Sequence, residues 1–332
     1  MCLYPKLIRN RKYTKTKKNG GNIPEMKDQR VQFVPVGCQK CIECRKQKGR
    51  EWSLRLQEEI RTDKTGKFVT LTFSNEAIHE LEQAVTEQIG QITGYDLDNE
   101  IATLAIRRYL ERWRKKHKKS VKHWFITELG QGKNWKWQGT ENLHLHGIMF
   151  TNETEDIKEI WKYGFVFIGK YVTEKTVNYM AKYMTKVDQL HREYTPKILT
   201  SAGMGSAYTT RADAQTNKYN NGSTDETYTT RQGNKMSLPV YWRNKIYTEE
   251  QREKLWLQKL DKQERWVDKQ RIDVSKGEEA YNNILKIAQE KNERLGYGND
   301  KKNWDRQNYE LMRRELKQKQ RIQAFEVKRT KG

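Results

Sequence analysis

The chain has 332 residues, enough for one sizeable core with appendages or for two modest domains. Charged residues make up 33% against 35% hydrophobic, which excludes an apolar core running evenly through the whole length and predicts a compact core with polar extensions. The net charge of +22 points to a polyanionic partner, and no apolar run approaches membrane-spanning length.

Residues 1–50 form a basic, irregular arm with 14 Lys/Arg against 3 Asp/Glu, half of the net charge of the chain. The arm opens MCLYPKLIRN, without the apolar stretch of a secretory signal, so a cytoplasmic setting with reduced cysteines is expected. It ends in Cys38, Cys41 and Cys44, spaced C-x2-C-x2-C, and Cys2 supplies a fourth thiol. Four thiolates can close a tetrahedral structural Zn²⁺ site, which would pin the arm against the domain that follows. The fourth cysteine and proline that usually complete an iron–sulfur spacing are absent.

Residues 51–190 carry the clearest periodicity. Trp52, Leu56 and Ile60 predict an entering helix. FVTLTF (68–73) alternates, with Val69, Leu71 and Phe73 on one face and Thr70 and Thr72 on the other, which predicts a strand with one buried side. A helix through Ile106, Tyr109, Leu110 and Trp113 comes next. HWFITEL (123–129) and LHLHGIMF (143–150) then read as two strands joined by a long loop holding Gly130, Gly132 and Gly139. A short helix near 154–161, a strand GFVFIG (164–169) and a helix 173–186 capped by Thr173 complete the region. The order is a split βαβ pattern. It predicts an α+β domain: a central, mainly antiparallel sheet with helices on one face and the other face free for a ligand.

Residues 191–245, rich in Thr, Gly, Asn and Ser, read as an irregular connection with one strand at LPVYW (238–242). Residues 246–332 read as a charged helical extension that includes Trp256, Leu260, Trp266 and Ile284. Ten tryptophans and seventeen tyrosines accompany the positive charge. Aromatic faces stack on unpaired bases while Lys and Arg neutralise phosphates, a mixture suited to single-stranded nucleic acid.

Two apart on a strand, His144 and His146 leave the same face. Two imidazoles on a polar face can share a divalent cation, with Glu128 of the preceding strand as a third ligand and Mg²⁺ or Mn²⁺ as the suited ions. Isolated, such a pair is as well read as surface histidines, and Glu128 as an ordinary strand-end carboxylate. The helix downstream changes the balance. Tyr179 and Tyr183, four apart, emerge from one helical face, and Lys182 and Lys186 repeat that spacing. Tyrosine is a weak nucleophile at its usual pKa of about 10, but nearby ammonium groups favour the phenolate and a cation makes phosphorus more electrophilic. One tyrosine could then attack a DNA phosphate, retain the 5′ end and release a 3′ hydroxyl, while the second cleaves a new strand. A tyrosine stripe that only packs the helix is the structural alternative.

FVTLTF, HLHGI and NYMAKYMTK, in that order, resemble the three motifs of HUH endonucleases. MCLYPK, CQKCIECRKQKGREW, SAGMGSAY and LPVYWRNK are similar to the rolling-circle replication initiators of microviruses, the gokushovirus-like single-stranded DNA phages. The resemblance spans roughly residues 1–245 and implies a ferredoxin/RRM-like nuclease fold. It further implies a metal at His144 and His146, with Glu128 a looser match, and a nucleophilic pair Tyr179 and Tyr183 with Lys182. The implied activity is nicking and joining of single-stranded origin DNA through a 5′-phosphotyrosine in a bacterial host cytoplasm, with host helicase and polymerase as partners. Two other readings remain at this stage: a noncatalytic, zinc-stabilised single-strand-binding protein, and another HUH enzyme such as a plasmid relaxase or transposase.

Overall fold

The computed structural model describes residues 1–130, 141–299 and 330. In chain order its elements are β1 (Lys6–Arg9), β2 (Phe33–Val36), α1 (Ile42–Thr62), β3 (Gly66–Thr72), α2 (Asn75–Ile89) and α3 (Gly94–His117). Then come β4 (Lys122–Leu129), β5 (Leu143–Phe150), α4 (Thr154–Trp161), β6 (Val166–Ile168), α5 (Glu174–Thr185) and β7 (Ile198–Thr200). The remainder is β8 (Thr227–Thr229), β9 (Lys235–Ser237), α6 (Val240–Ile246), α7 (Glu249–Asp261), β10 (Glu264–Val267), β11 (Gln270–Asp273) and α8 (Glu279–Arg294). Two units result, one built on Leu56–Gly205 and the other on Met1–Arg55 with Ser206–Lys301.

In the Leu56–Gly205 unit five strands pair antiparallel in the order β6-β3-β5-β4-β7. The α+β reading therefore holds, and strands β3 and β4 flank β5 as the split pattern requires. Alternation decides the faces. Leu143, Leu145 and Met149 of β5 point to one side, where they join Val69, Leu71, Phe125 and residues of α2, α3 and α4 in one core. Each such side chain, fully buried, stabilises the fold by about 2 kcal/mol. Gly147 lies opposite Phe125 on that side, and a Cβ there would come within 3.0 Å of both the Phe125 ring and the Trp124 carbonyl. Only glycine lets the two strands close at this point.

The opposite face is not free throughout. In register across it run Thr72, His144 and Glu128, then Thr70, His146 and Ile126, then Phe68, Ile148 and Trp124. Ile126, Ile148 and Trp124 are fully buried, so only the histidine end of the face stays partly open. The fifth strand, β7, pairs with β4 at Trp124–Ile126 and has no counterpart in the sequence reading.

In the other unit, β1 pairs with β2, β8 with β9 and β10 with β11. Two expectations are corrected here. LPVYW is not a strand: Pro239 caps α6, whose Trp242 is buried against Tyr208 and Tyr228. Pro at a helix start loses no intrahelical hydrogen bond, which makes the segment a helix entry. Trp266 is on strand β10, not on a helix. The β10–β11 turn uses Asp268 and Lys269, both with positive φ, in the place where Asn-Gly would have advertised a hairpin. The expected loop glycines Gly132 and Gly139, and the extension beyond 299, lie outside the described residues.

Candidate functional site

Register places Glu128 of β4 directly opposite His144 of β5, and the two-residue period puts His146 on the same face. Both imidazoles turn Nε2 toward one carboxylate oxygen: His144 Nε2 is 3.2 Å and His146 Nε2 3.0 Å from Glu128 Oε2. Their other ring nitrogens are held from behind. His144 Nδ1 meets the Asn142 carbonyl at 3.1 Å, and His146 Nδ1 meets the Thr70 hydroxyl at 3.0 Å. A carbonyl only accepts, so the proton of neutral His144 sits on Nδ1 and Nε2 offers a lone pair. That lone pair then faces a carboxylate, which is repulsive unless a proton or a cation lies between them. The donor set thus fits a divalent ion.

The electrostatics agree. Burial alone would raise the Glu128 carboxyl, but the hydrogen bonds and charges of His144 and His146 outweigh it and hold the group at about 2. Burial pushes the His146 imidazole below its ordinary value, with Glu128 opposing. Neutral imidazole beside an ionised carboxylate is the form that binds metal.

Helix α5 brings the tyrosines to this face. Thr173 and Thr176 form a reciprocal capping box at its start, and Val177, Met180 and Met184 are its buried stripe. Tyr179 and Tyr183 lie beside that stripe, one turn apart. The Tyr183 ring stacks on His146 with centroids 4.8 Å apart and planes 16° from parallel. The Tyr179 ring meets Phe68 edge-on at 6.4 Å, and the Tyr183 hydroxyl donates a short hydrogen bond to the Tyr179 hydroxyl. Tyr179 is 49% exposed, whereas Tyr183 is half-buried. The Tyr183 phenol is driven above its ordinary range by burial, then by its bond to Tyr179 and the Glu128 charge. This is the reverse of the ammonium activation expected for that tyrosine.

The two lysines differ. Lys182 is exposed on α5, and Lys186, its C-cap, lines a narrow cleft with Glu128, Tyr183 and Asp188. Asp188 was missed from sequence. Burial raises its carboxyl, and its Oδ1 accepts from the Leu190 and His191 backbone N–H groups. The fully buried His191 in turn lies 3.2 Å from Glu141 and 3.3 Å from the Tyr95 hydroxyl. Both acidic residues stand in stretches without periodicity, so no pattern announced them.

Residues 66–188 match the family model of the replication-associated protein, ORF2 type. The match supports a rolling-circle replication initiator, and it encloses Glu128, both histidines, both tyrosines and both lysines. No curated protein and no solved structure matches the chain. No helix among the described residues of this replication-associated chain is long and apolar enough to cross a membrane.

The cysteines lie outside the matched stretch and also converge. The sulfurs of Cys2, Cys38, Cys41 and Cys44 all lie within 4.8 Å of one another, with Cys2 and Cys41 3.9 Å apart. A tetrahedron of Zn–S bonds of about 2.3 Å has sulfur–sulfur edges of roughly 3.8 Å, so the set fits zinc. Backbone N–H groups of Tyr4 and Cys38 donate to Cys2 Sγ, and that of Cys41 donates to Cys38 Sγ. Such bonds favour thiolate, and bonds from Cys2, Cys41 and Cys44 hold the Cys38 thiol far below its ordinary range. The arm packs on a different neighbour from the one expected: Leu3, Cys41 and Cys44 share an apolar cluster with Val267, Ile272 and Ala288. Gln289 donates to the Leu3 carbonyl at 2.8 Å, and the Ile42 backbone N–H donates to Asn292 at 2.8 Å.

Proposed function

We propose that this chain nicks and rejoins single-stranded DNA at a replication origin, through a 5′-phosphotyrosine intermediate, and so starts and ends rolling-circle replication of a circular single-stranded DNA phage. The observation that carries this reading is the stack of Tyr183 on His146, which brings a hydrogen-bonded tyrosine pair against the Glu128–His144–His146 donor set. When bound there, Mg²⁺ or Mn²⁺ would polarise a phosphate oxygen and make phosphorus more electrophilic. Tyr179 is the more accessible hydroxyl, and the proton donated by Tyr183 stabilises negative charge on its oxygen. Tyr179 is therefore the first nucleophile. Its oxygen bonds to phosphorus as the bond to the 3′ oxygen breaks, and the phenolic proton is made good on the departing 3′ hydroxyl. One phosphoester replaces another, so a later 3′ hydroxyl can reverse the step without ATP. Tyr183 serves the second strand. Lys186, in the same cleft as Glu128, offers positive charge to the phosphate. Host helicase and polymerase would extend the freed 3′ end. In this reading residues 51–190 are the nuclease domain, 1–50 a zinc-bearing basic arm, 191–245 a connection and 246–332 an extension.

The test is an SDS-stable adduct between the full chain and labelled single-stranded origin DNA in Mn²⁺ or Mg²⁺. Chelation or Glu128→Gln should abolish the adduct while sparing most salt-sensitive binding. Tyr179→Phe should lose the first adduct, and Tyr183→Phe should keep it but lose strand joining. An adduct that survives the double replacement removes the tyrosines from the chemistry. Binding without any adduct would favour a noncatalytic single-strand-binding protein.

A further inference from the structure

A half-buried edge strand normally turns its apolar residues inward and its polar residues outward. Strand β6 does the opposite on its outer face. In GFVFIG the inward Val166 is buried, whereas Phe165 is 71% and Phe167 51% exposed. Both rings lie on the histidine-bearing face. Phe167 pairs with Thr70, which pairs with His146, and the Phe165 carbonyl accepts from the Thr72 backbone N–H at 3.0 Å beside His144. The rings also continue an aromatic path. Phe68 stacks on His146 with centroids 5.9 Å apart, and Phe167 meets Phe68 edge-on at 6.3 Å.

Scattered exposed phenylalanines are ordinary, but two on one face of an edge strand, in register with a metal-ligand row, are not. Their surroundings are basic: Lys162, Lys170 and Lys175 flank the strand, and Lys67 reaches the Lys170 carbonyl at 3.3 Å. Flat apolar rings between ammonium groups complement a flexible polyanion that carries flat apolar bases. Single-stranded DNA has both parts, and duplex DNA hides one of them.

We infer that Phe165 and Phe167 form a stacking platform for unpaired nucleobases adjoining the phosphate at Tyr179. The inference rests on the proposed function for the identity of that phosphate, though not for the stacking itself. Phe167 holds the base nearer Phe68, and Phe165 holds one farther along the Thr72–His144–Glu128 row. The platform is independent of base identity, because every base presents a π face. It orients the strand and takes no part in bond making.

The test uses the full chain in chelator, where no cleavage interferes, and two fluorescent 20-mers: oligo(dT) and an abasic strand with the same phosphates. Stacking is worth about 1–3 kcal/mol per base, so each of Phe165→Ala and Phe167→Ala should weaken oligo(dT) binding by about ten-fold or more. Affinity for the abasic strand should be unchanged, and Phe→Tyr at either position should retain dT binding. Both rings are exposed, and circular dichroism checks that the alanine variants fold. Equal losses on both strands, or no loss on either, would overturn the platform. So would light scattering in which these variants only lower self-association, because the face would then be a contact between copies. Adduct formation is scored separately with metal: base-dependent loss without any wild-type adduct overturns the nuclease reading alone, and a normal adduct with unchanged dT binding overturns the platform alone.

Discussion

Replacing Gly147 by alanine isolates the close approach that sets the spacing of β4 and β5. Two effects oppose each other. Alanine in a strand is favoured over glycine by roughly 0.5–1 kcal/mol, because less backbone freedom is lost on folding. Against this, the new methyl would lie within 3.0 Å of the Phe125 ring and the Trp124 carbonyl, where real Cβ contacts do not occur. Phe125 is fully buried and the carbonyl belongs to the sheet, so neither can swing aside. Overpacking of this kind costs about 1–3 kcal/mol, and the rigidity of both partners puts Gly147 at the upper end. The net loss is about 2 kcal/mol, or a fall in Tm of about 4–8 °C at 2–4 °C per kcal/mol. Trp124 is on the same strand as Glu128, so widening the strand pair also loosens the Glu128–His144 contact, and Mn²⁺ affinity should fall about ten-fold. Thermal melting followed by far-UV circular dichroism and calorimetric Mn²⁺ titration measure the two effects. Gly222→Ala is the control, since a Cβ there meets nothing within 4 Å, and it should leave both unchanged. A Gly147→Ala protein that melts at or above the wild-type temperature refutes the steric argument. One that melts lower but binds Mn²⁺ normally refutes the link from strand spacing to the metal ligands.

Purified protein should contain about one zinc per chain, as a closed four-thiolate site requires, and Cys41→Ser should lose it together with several degrees of Tm; metal analysis that finds no zinc in well-folded protein counts against the site. His123 gives a pH prediction. Its imidazole is buried, its Nδ1 lies 3.1 Å from the Val121 carbonyl, and burial lowers its affinity for protons. Below about pH 6.5 the unfolded chain therefore takes up a proton that the folded chain resists, so stability falls as pH drops through that value toward the folded pKa. His123→Gln should show a shallower loss of Tm between about pH 7 and 5 than wild type, and parallel curves would rule out His123 as a source of the slope.

The sheet was legible because its strands bury one face against helices, and burial of one face writes a period of two into FVTLTF and LHLHGIMF. Helix α5 was legible for the same reason at a period of 3.6, with Thr173 marking its start. Strand β7 was not: three residues cannot show a period, and its partner β4 lies about seventy residues upstream. The histidine and tyrosine pairs were visible as spacings, but their meeting was not, since the stack of Tyr183 on His146 depends on how α5 crosses the face. Asp188 and His191 were hidden because a turn that bonds its own backbone leaves no periodic trace. The upward shift of the Tyr183 phenol was equally out of reach, because it comes from burial and from Glu128, fifty-odd positions away.

The pairing of Leu3, Cys41 and Cys44 with Val267, Ile272 and Ala288 has a consequence for biosynthesis. On the ribosome the first fifty-five residues emerge long before the segments that complete their core. At about 5–20 residues per second the wait is tens of seconds, whereas Leu56–Gly205 has all of its strands within reach as soon as it clears the exit tunnel. The replication-associated unit therefore folds while the amino-terminal thiols are still uncovered. A metal ion that gathers Cys2, Cys38, Cys41 and Cys44 early would give the nascent arm a local structure to hold until α8 arrives.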